Sequence, residues 1–315
     1  MTTTLPDDPS FLAPVGHVAD WRLVLLLDAA AETGLLDALP GTPDEVAATA
    51  QLSPDAVRRV LDALVAVGVC EYRDGTFQEP PFDPDALAML RHHATMLRRW
   101  SLGLPAALRG EEVGGALTQN LDVFLPALGA RARTRAAGLV SLCRERFPQA
   151  RRVLDLGGGH GEDALAFARA GYEVTLQDLP PVIEWLQQRG DAEAAGVRLV
   201  TGDLGAELAA GPFDLVLLAG LTHTFPPEEV RSLLVRLRQR VSDDAGLVIS
   251  SRFRGESPTS ALFAVQMLLV GRGGDTHGRD EYDAWLTDAG FSTASELPLG
   301  TSATGPGSVL LATAR

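Results

Sequence analysis

Lysine is absent from this chain. All 27 basic residues are arginine, set against 41 acidic ones, for a formal net charge of -14 over 315 residues. A catalytic Schiff base or a lysine general base is therefore excluded. The acidic surplus disfavours polyanions, so neither nucleic acid nor an anionic membrane surface is expected as a partner. Only two cysteines occur, Cys70 and Cys143, far apart and outside any C-x-x-C spacing. They fit core thiols in a reducing, cytoplasmic compartment rather than a disulfide framework. No run of 18 apolar residues is present, so no transmembrane helix is expected. Residues 1–10 lack the apolar core of a signal peptide and read as a polar lead-in. The six histidines are scattered without H-x-x-x-H spacing, and no metal site is expected.

What the chain does have is glycine in one telling place. Val153-Leu154-Asp155-Leu156 reads as a short strand that runs into Gly157-Gly158-Gly159-His160-Gly161, and a helix opens at Glu162-Asp163 with Ala164, Leu165, Phe167 and Ala168 on its buried side. Strand, glycine turn and helix begin a nucleotide-binding βαβ unit. The run 159–164 formally fits G-x-G-x-x-A, so a dinucleotide such as NAD is one alternative, and a turn that binds nothing is another. Charge favours a third. A pyrophosphate needs a bare helix N-terminus, whereas Asp155, Glu162 and Asp163 crowd this one with carboxylates. S-adenosylmethionine (SAM) carries a sulfonium and an ammonium, which carboxylates attract. The next strand, 172–177, ends at Asp178, about twenty residues past the first glycine, where an acid can accept two ribose hydroxyls. A helix cap before Pro180-Pro181 is its plainer role.

In chain order, residues 18–39 predict an apolar helix ended by Gly41. Thr42-Pro43-Asp44-Glu45 and Ser53-Pro54-Asp55 each start a helix, the second running to about residue 67. Residues 69–77 read as a hairpin with an Asp74-Gly75 turn. Two helices and a hairpin make a winged-helix pattern, but residues 41–78 hold six acids against three arginines. That balance opposes DNA reading and suits a dimerisation scaffold. Residues 85–108 form a further helix with His92, His93 and Trp100, candidate substrate contacts or ordinary core residues. Residues 110–115 break the pattern, and 121–147 form a helical link with Arg131, Arg133 and Arg135. The α/β alternation then continues: strands at 197–200, 213–219 and 246–251, helices at 228–241, 258–270 and 281–289, and a terminal strand pair at 293–299 and 308–313.

With these stretches in order, the chain resembles the small-molecule O-methyltransferases of the caffeic acid and hydroxyindole type, including their bacterial natural-product branch. The resemblance rests on 153–161, Gln177-Asp178-Leu179-Pro180, Gly202-Asp203-Leu204, Leu221-Thr222-His223 and 281–291, and spans nearly the whole chain. It implies an α/β fold: a class I SAM-methyltransferase Rossmann-like sheet over 148–315, an N-terminal helical winged-helix dimerisation domain over 11–110, and a linker over 111–147. It implies a homodimer. It also implies that Gly157 and Gly159 pass the methionine part of SAM, that Asp178 takes the ribose, and that Leu179, Asp203 and Leu204 frame the adenine. His223 matches the family's general base. Thr224 stands where an acid often follows that histidine, and Ser251 or Arg252 and Thr276, beside Asp275, fall where the family has glutamates. This leaves C- or N-methylation, or a SAM-binding enzyme without methyl transfer (a pericyclase or hydroxylase-like relative), as alternatives. Asp275 and His277, in loop 271–278, are further substrate candidates.

Overall fold

The computed structural model describes residues 21–80, 83–111, 113, 120–269, 273–292, 295–302 and 305–315. The chain divides into two compact units, one over Ala19–Arg98 and one taking in Arg99–Arg315.

The first unit opens with α1 (Trp21–Glu32), α2 (Pro43–Ala50) and α3 (Pro54–Ala66), then the strands β1 (Tyr72–Arg73) and β2 (Thr76–Phe77). The sequence predicts one helix over 18–39; in the described part it ends at Glu32, and the chain turns over Gly34 at φ +73°. Leu35, Leu36 and Leu39 are buried all the same, and their spacing imitates a helical face. In α2, Thr42 and Glu45 form a reciprocal capping box, which satisfies two N–H groups at the helix start. Asp74 and Gly75, both at positive φ, close the hairpin. Val57, Leu61 and Leu64, at i, i+4 and i+7 of α3, meet Leu27, Val46, Cys70 and Phe77 in one core. Asp28 is buried on α1 and paired with Arg98 and Arg91 of α4 (Pro84–Leu108), a helix that runs on past residue 98.

The second unit is a seven-stranded sheet with helices on both faces. Its elements are α5 (Leu121–Arg146), β3 (Arg152–Leu156), α6 (Glu162–Arg169), β4 (Glu173–Asp178), α7 (Pro180–Arg189), α8 (Asp191–Ala194), β5 (Arg198–Thr201), β6 (Phe213–Ala219), α9 (Pro227–Arg238), β7 (Val241–Ser251), α10 (Pro258–Leu268), α11 (Arg279–Asp288), β8 (Ser295–Ser302) and β9 (Gly305–Thr313). The strand order is β5-β4-β3-β6-β7-β9-β8. β3 to β7 are parallel, and β9 runs antiparallel to both of its neighbours.

Alternation along the strands builds two cores. Leu154, Val216, Leu218, Leu247 and Ile249 meet Leu233, Leu234, Leu237, Trp285 and Leu286 from α9 and α11. Val153, Leu215, Leu217 and Val248 meet Leu139, Cys143, Phe167 and Ile183 from α5, α6 and α7 on the other face. Both cysteines are free and buried, and burial pushes the Cys143 thiol up to about 12, with the charge of Asp163 adding to it. A helix expected over 228–241 stops at Arg238 instead. Val241 already pairs with Phe213, so β7 is longer than the 246–251 strand predicted from sequence. No helix among the described residues is long and apolar enough to cross a membrane.

Candidate active site

The direction of strand succession reverses between β3 and β6, which lie side by side in the sheet. The crevice beyond their carboxyl ends is where open α/β sheets bind ligands. β3 delivers the glycine turn to this point and β6 delivers His223. The two are in contact. Gly157 has φ +66°, and a Cβ there would stand 2.6 Å from Leu221 Cδ1, so the backbone closes onto the turn that carries His223.

Asp178, at the end of β4, organises the glycine turn. Its Oδ2 accepts the Gly159 N–H at 2.8 Å and its Oδ1 accepts the Leu179 N–H at 2.7 Å. Burial pushes its carboxyl up, and the two N–H groups act in the opposite direction. Each oxygen keeps a second lone pair for a ligand. Asp155 lies deeper, 1% exposed, with Oδ2 2.7 Å from where a Gly158 side chain would start. Neither of its oxygens completes a hydrogen bond among the described residues. Burial, then the charge of Asp163, raises its carboxyl well above the usual range. Asp155 thus supports the turn from below.

The acids that open α6 differ from the sequence expectation. Glu162 is paired with Arg133, and Asp163 with Arg135 at 2.7 Å, both arginines coming from α5. Their charges are answered inside the protein, so they neither repel a diphosphate nor attract a sulfonium with full strength. The helix start is nonetheless closed to a pyrophosphate for another reason. His160 Nδ1 accepts the Glu162 N–H at 3.0 Å, taking the place an anion would fill. Burial holds the His160 imidazole down at about 4, so it stays neutral in this acceptor role.

The loop after β5 is held by Gln177, a buried residue to which sequence reasoning gave no role. Its amide donates to Glu207 O and accepts from Ala209 N–H, each at 2.7 Å. Within that loop Leu204 is buried, while Asp203 is exposed and accepts the Gly205 N–H at 2.8 Å.

His223 sits in a 3-10 turn, Thr222–Thr224, directly after β6. Its Nδ1 faces Ser251 Oγ at 3.3 Å, and its ring stands edge-on to Phe263 with centroids 4.7 Å apart. Burial, then the charge of Arg252, holds its imidazole down at about 3. Thr224 spends its hydroxyl on Leu221 O at 2.7 Å. The turn itself is anchored by His277, whose Nε2 lies 3.1 Å from Phe225 O and 3.3 Å from Thr222 O. Tyr282 adds a hydrogen bond to Thr222 Oγ1 at 2.6 Å. His277 is 1% exposed, packed on Tyr282 and Trp285. These contacts make it a positioning residue for the His223 turn. Asp275 binds Arg254 at 3.0 Å and its neighbour's N–H, and Thr276 is buried. Trp100 is half-buried on α4. His92 and His93 belong to the first unit, the former buried and the latter exposed.

The profile of the O-methyltransferase domain matches residues 128–292, just over half of the chain. Among curated proteins, the mitomycin biosynthesis 6-O-methyltransferase of Streptomyces lavendulae is 29% identical over 184 residues, covering 57% of this chain and 52% of its own. The tetracenomycin polyketide synthesis 8-O-methyl transferase TcmO of Streptomyces glaucescens is 25% identical over 297 residues, covering 84% and 87%. The chain spans about half the length of several of the curated relatives it matches. Human N-acetylserotonin methyltransferase, solved in complex with SAM, superposes with a TM-score of 0.72 at 21% identity over 93% of this chain and 94% of its own, which shows a shared fold. The profile match takes in the glycine turn, Asp178 and the His223 turn: this chain belongs to the O-methyltransferase domain family.

Proposed function

We propose that the protein is a SAM-dependent methyltransferase that methylates a small natural-product acceptor, aromatic or polyketide-like, at oxygen. The observation that carries this reading is the meeting of two turns at the switch point, Gly157 closing on Leu221 two residues before His223. The residues present fit SAM. Asp178 offers ribose-binding oxygens, Gly157 and Gly159 leave a cradle without side chains, and the family resemblance puts Leu179, Asp203 and Leu204 at the adenine end. Asp155 braces the turn beneath them. Bound SAM supplies a methyl on a sulfonium, already a good leaving group. What remains for the chain is to align the acceptor and handle its proton. In the tautomer whose Nδ1–H donates to Ser251 Oγ, His223 Nε2 is left to accept that proton. Relatives named for mitomycin biosynthesis and tetracenomycin polyketide synthesis support a natural-product acceptor. C- or N-methylation, or a reaction without methyl transfer, is the second reading, favoured by the absence of any carboxylate hydrogen-bonded to His223 among the described residues.

The layout over 11–110, 111–147 and 148–315 follows the family: a dimerisation domain, a linker and a SAM domain. A homodimer formed through the N-terminal unit is supported by large apolar side chains left exposed there, Trp21 at 62% with Val67, Tyr72 and Leu97. His92, His93 and Trp100 on α4, and Asp275, remain candidates for touching the acceptor. A cytoplasmic location agrees with two free thiols. Calorimetry tests the cofactor. SAM and S-adenosylhomocysteine (SAH) are expected to bind and NAD is not. Asp178→Ala is expected to weaken SAH by about 1–3 kcal/mol, the range for hydrogen bonds to a charged group. NAD binding without a response to SAM would sink the assignment.

A further inference from the structure

His223 is restrained loosely through its ring and closely through its backbone. The ring meets one hydroxyl, Ser251 Oγ at 3.3 Å, and the edge of Phe263. The backbone around it is enclosed by residues 273–278 and the first turn of α11, and three contacts converge there. The Gly274 backbone comes so near that a Cβ on it would stand 2.3 Å from His223 O and 3.0 Å from Thr224 Cα. His277 Nε2 lies 3.3 Å from Thr222 O and 3.1 Å from Phe225 O, one residue on either side of the His223–Thr224 pair. Both partners are carbonyls, so this nitrogen carries the proton and donates it. Tyr282 donates its hydroxyl to Thr222 Oγ1 at 2.6 Å, and burial pushes the phenol up, which keeps it a neutral donor. The Arg254 N–H in turn donates to His277 O at 3.0 Å. That bond ties the enclosing loop to the chain just past β7, the strand that supplies Ser251.

Packing alone does not account for these residue types. His277 is buried between the rings of Tyr282 and Trp285, and its Nδ1 has no partner among the described residues. A buried unpaired nitrogen destabilises, and an apolar side chain would fill the space without that cost. The imidazole is therefore kept for what its other nitrogen holds. Gly274 is bare because the His223 carbonyl occupies the room of a side chain. We propose that Gly274, His277 and Tyr282 are positioning residues for His223: they aim its imidazole by fixing the turn that carries it, the task a carboxylate on the ring would otherwise perform. This rests on the methyltransferase reading for its chemistry. There the acceptor hydroxyl gives its proton to His223 Nε2, its oxygen lone pair forms the new C–O bond, and the methyl–sulfur bond breaks with the electron pair left on sulfur. The proton then passes to solvent. A turn held at Thr222, His223 and Phe225 keeps Nε2 in line for this, and a displacement of about 1 Å is enough to slow such a step up to about 10²-fold.

The test reads the His223 ring directly, by NMR of full-length protein labelled with 15N-histidine, its signals assigned by their loss in His223→Ala. The wild type is expected to show one neutral tautomer, protonated at Nδ1 toward Ser251. Tyr282→Phe, which keeps the aromatic ring, and His277→Leu are each expected to lower that preference about tenfold, the equivalent of about one hydrogen bond. His277→Gln, whose amide can still donate to the two carbonyls, should restore it. Gly274→Ala, with its Cβ against the His223 carbonyl, should show the largest change. Turnover of the most reactive member of a panel of phenols gives the second readout. Tyr282→Phe and His277→Leu are each expected to lower kcat about tenfold with SAH affinity unchanged. In the His223→Ala background the same changes should cost less than about twofold further, because they act through a ring that is no longer there. A merely structural pair would lower the rate equally in both backgrounds, and that result overturns the proposal. So do His223 ring signals that stay unchanged in both Tyr282→Phe and His277→Leu. Signals that respond as expected in a protein that transfers no methyl uphold the positioning role and count against the methyltransferase reading alone.

Discussion

His223 meets Ser251 through Nδ1 and Phe263 through its ring edge, and no carboxylate among the described residues bonds to it. With burial and Arg252 holding the imidazole at about 3, it is neutral throughout the physiological range. His223→Ala is expected to lower kcat by about 10²-fold, the low end for a positioned base, and to leave SAH affinity unchanged. The wild-type pH–rate profile should contain no limb near the ordinary histidine value of about 6.5 that disappears in this variant. Initial rates of SAH release measure both, and a variant that keeps more than about a third of wild-type turnover removes His223 from proton handling. At this scale the sequence is informative where backbone chemistry forces the residue type. The glycines, Asp178 and His223 are legible because a turn, a strand end and a family motif each demand them. Arg131 is visible as one of three arginines at alternate positions, but which of the three pair with acids among the described residues depends on Glu162 and Asp163, about thirty residues further on. His277 has the reverse history: a substrate candidate by loop position, it is buried under the His223 turn as an anchor.

The glycine turn and the His223 turn act as a pair of elements. Gly157→Ala is expected to destabilise the fold by about 1–3 kcal/mol, because its Cβ meets Leu221 and its φ is left-handed. Adding Leu221→Ala should recover the steric part and not the backbone part, which a thermal-unfolding double-mutant cycle resolves. Full additivity of the two changes would mean that the turns do not press on one another. At the amino ends of the central strands, Asp214 of β6 ties β3 to β7. Burial alone would push its carboxyl up, but hydrogen bonds from the Arg152 side chain, the Arg152 and Arg151 N–H groups and Ser242 bring it down to about 2. A depressed folded value stabilises above the unfolded carboxylate range and is lost as pH falls through about 4 toward 2. Asp214→Asn should therefore cost up to about 2 kcal/mol at neutral pH, with the difference narrowing below about pH 4. Urea unfolding at both pH values checks the sign. Element identity was legible from apolar spacing, and boundaries were less so. Leu35, Leu36 and Leu39 imitate a helix face from within a turn, and Val241 continues the apolar face of α9 while pairing as a strand.

As a whole molecule, the chain joins a small helical unit to a seven-stranded sheet, and its partners are to be sought at both. Exposed Trp21 and Leu97 in the first unit lead us to expect a dimer in sedimentation at micromolar concentration, and a species of one chain mass there counts against it. The overall order of helices and strands was readable because each βα step repeats the same pattern. The charge balance around the glycine turn was not, since it is settled by arginines from α5 reaching across to α6. The proposed activity is the transfer of a methyl from SAM to a small acceptor in the crevice. The most direct measurement incubates the purified protein with SAM and a panel of phenols and enols, and follows SAH and product by mass spectrometry. Methyl transfer predicts SAH appearing in step with a product heavier by one methylene. A product formed with SAM unconsumed and no added methyl would contradict the account.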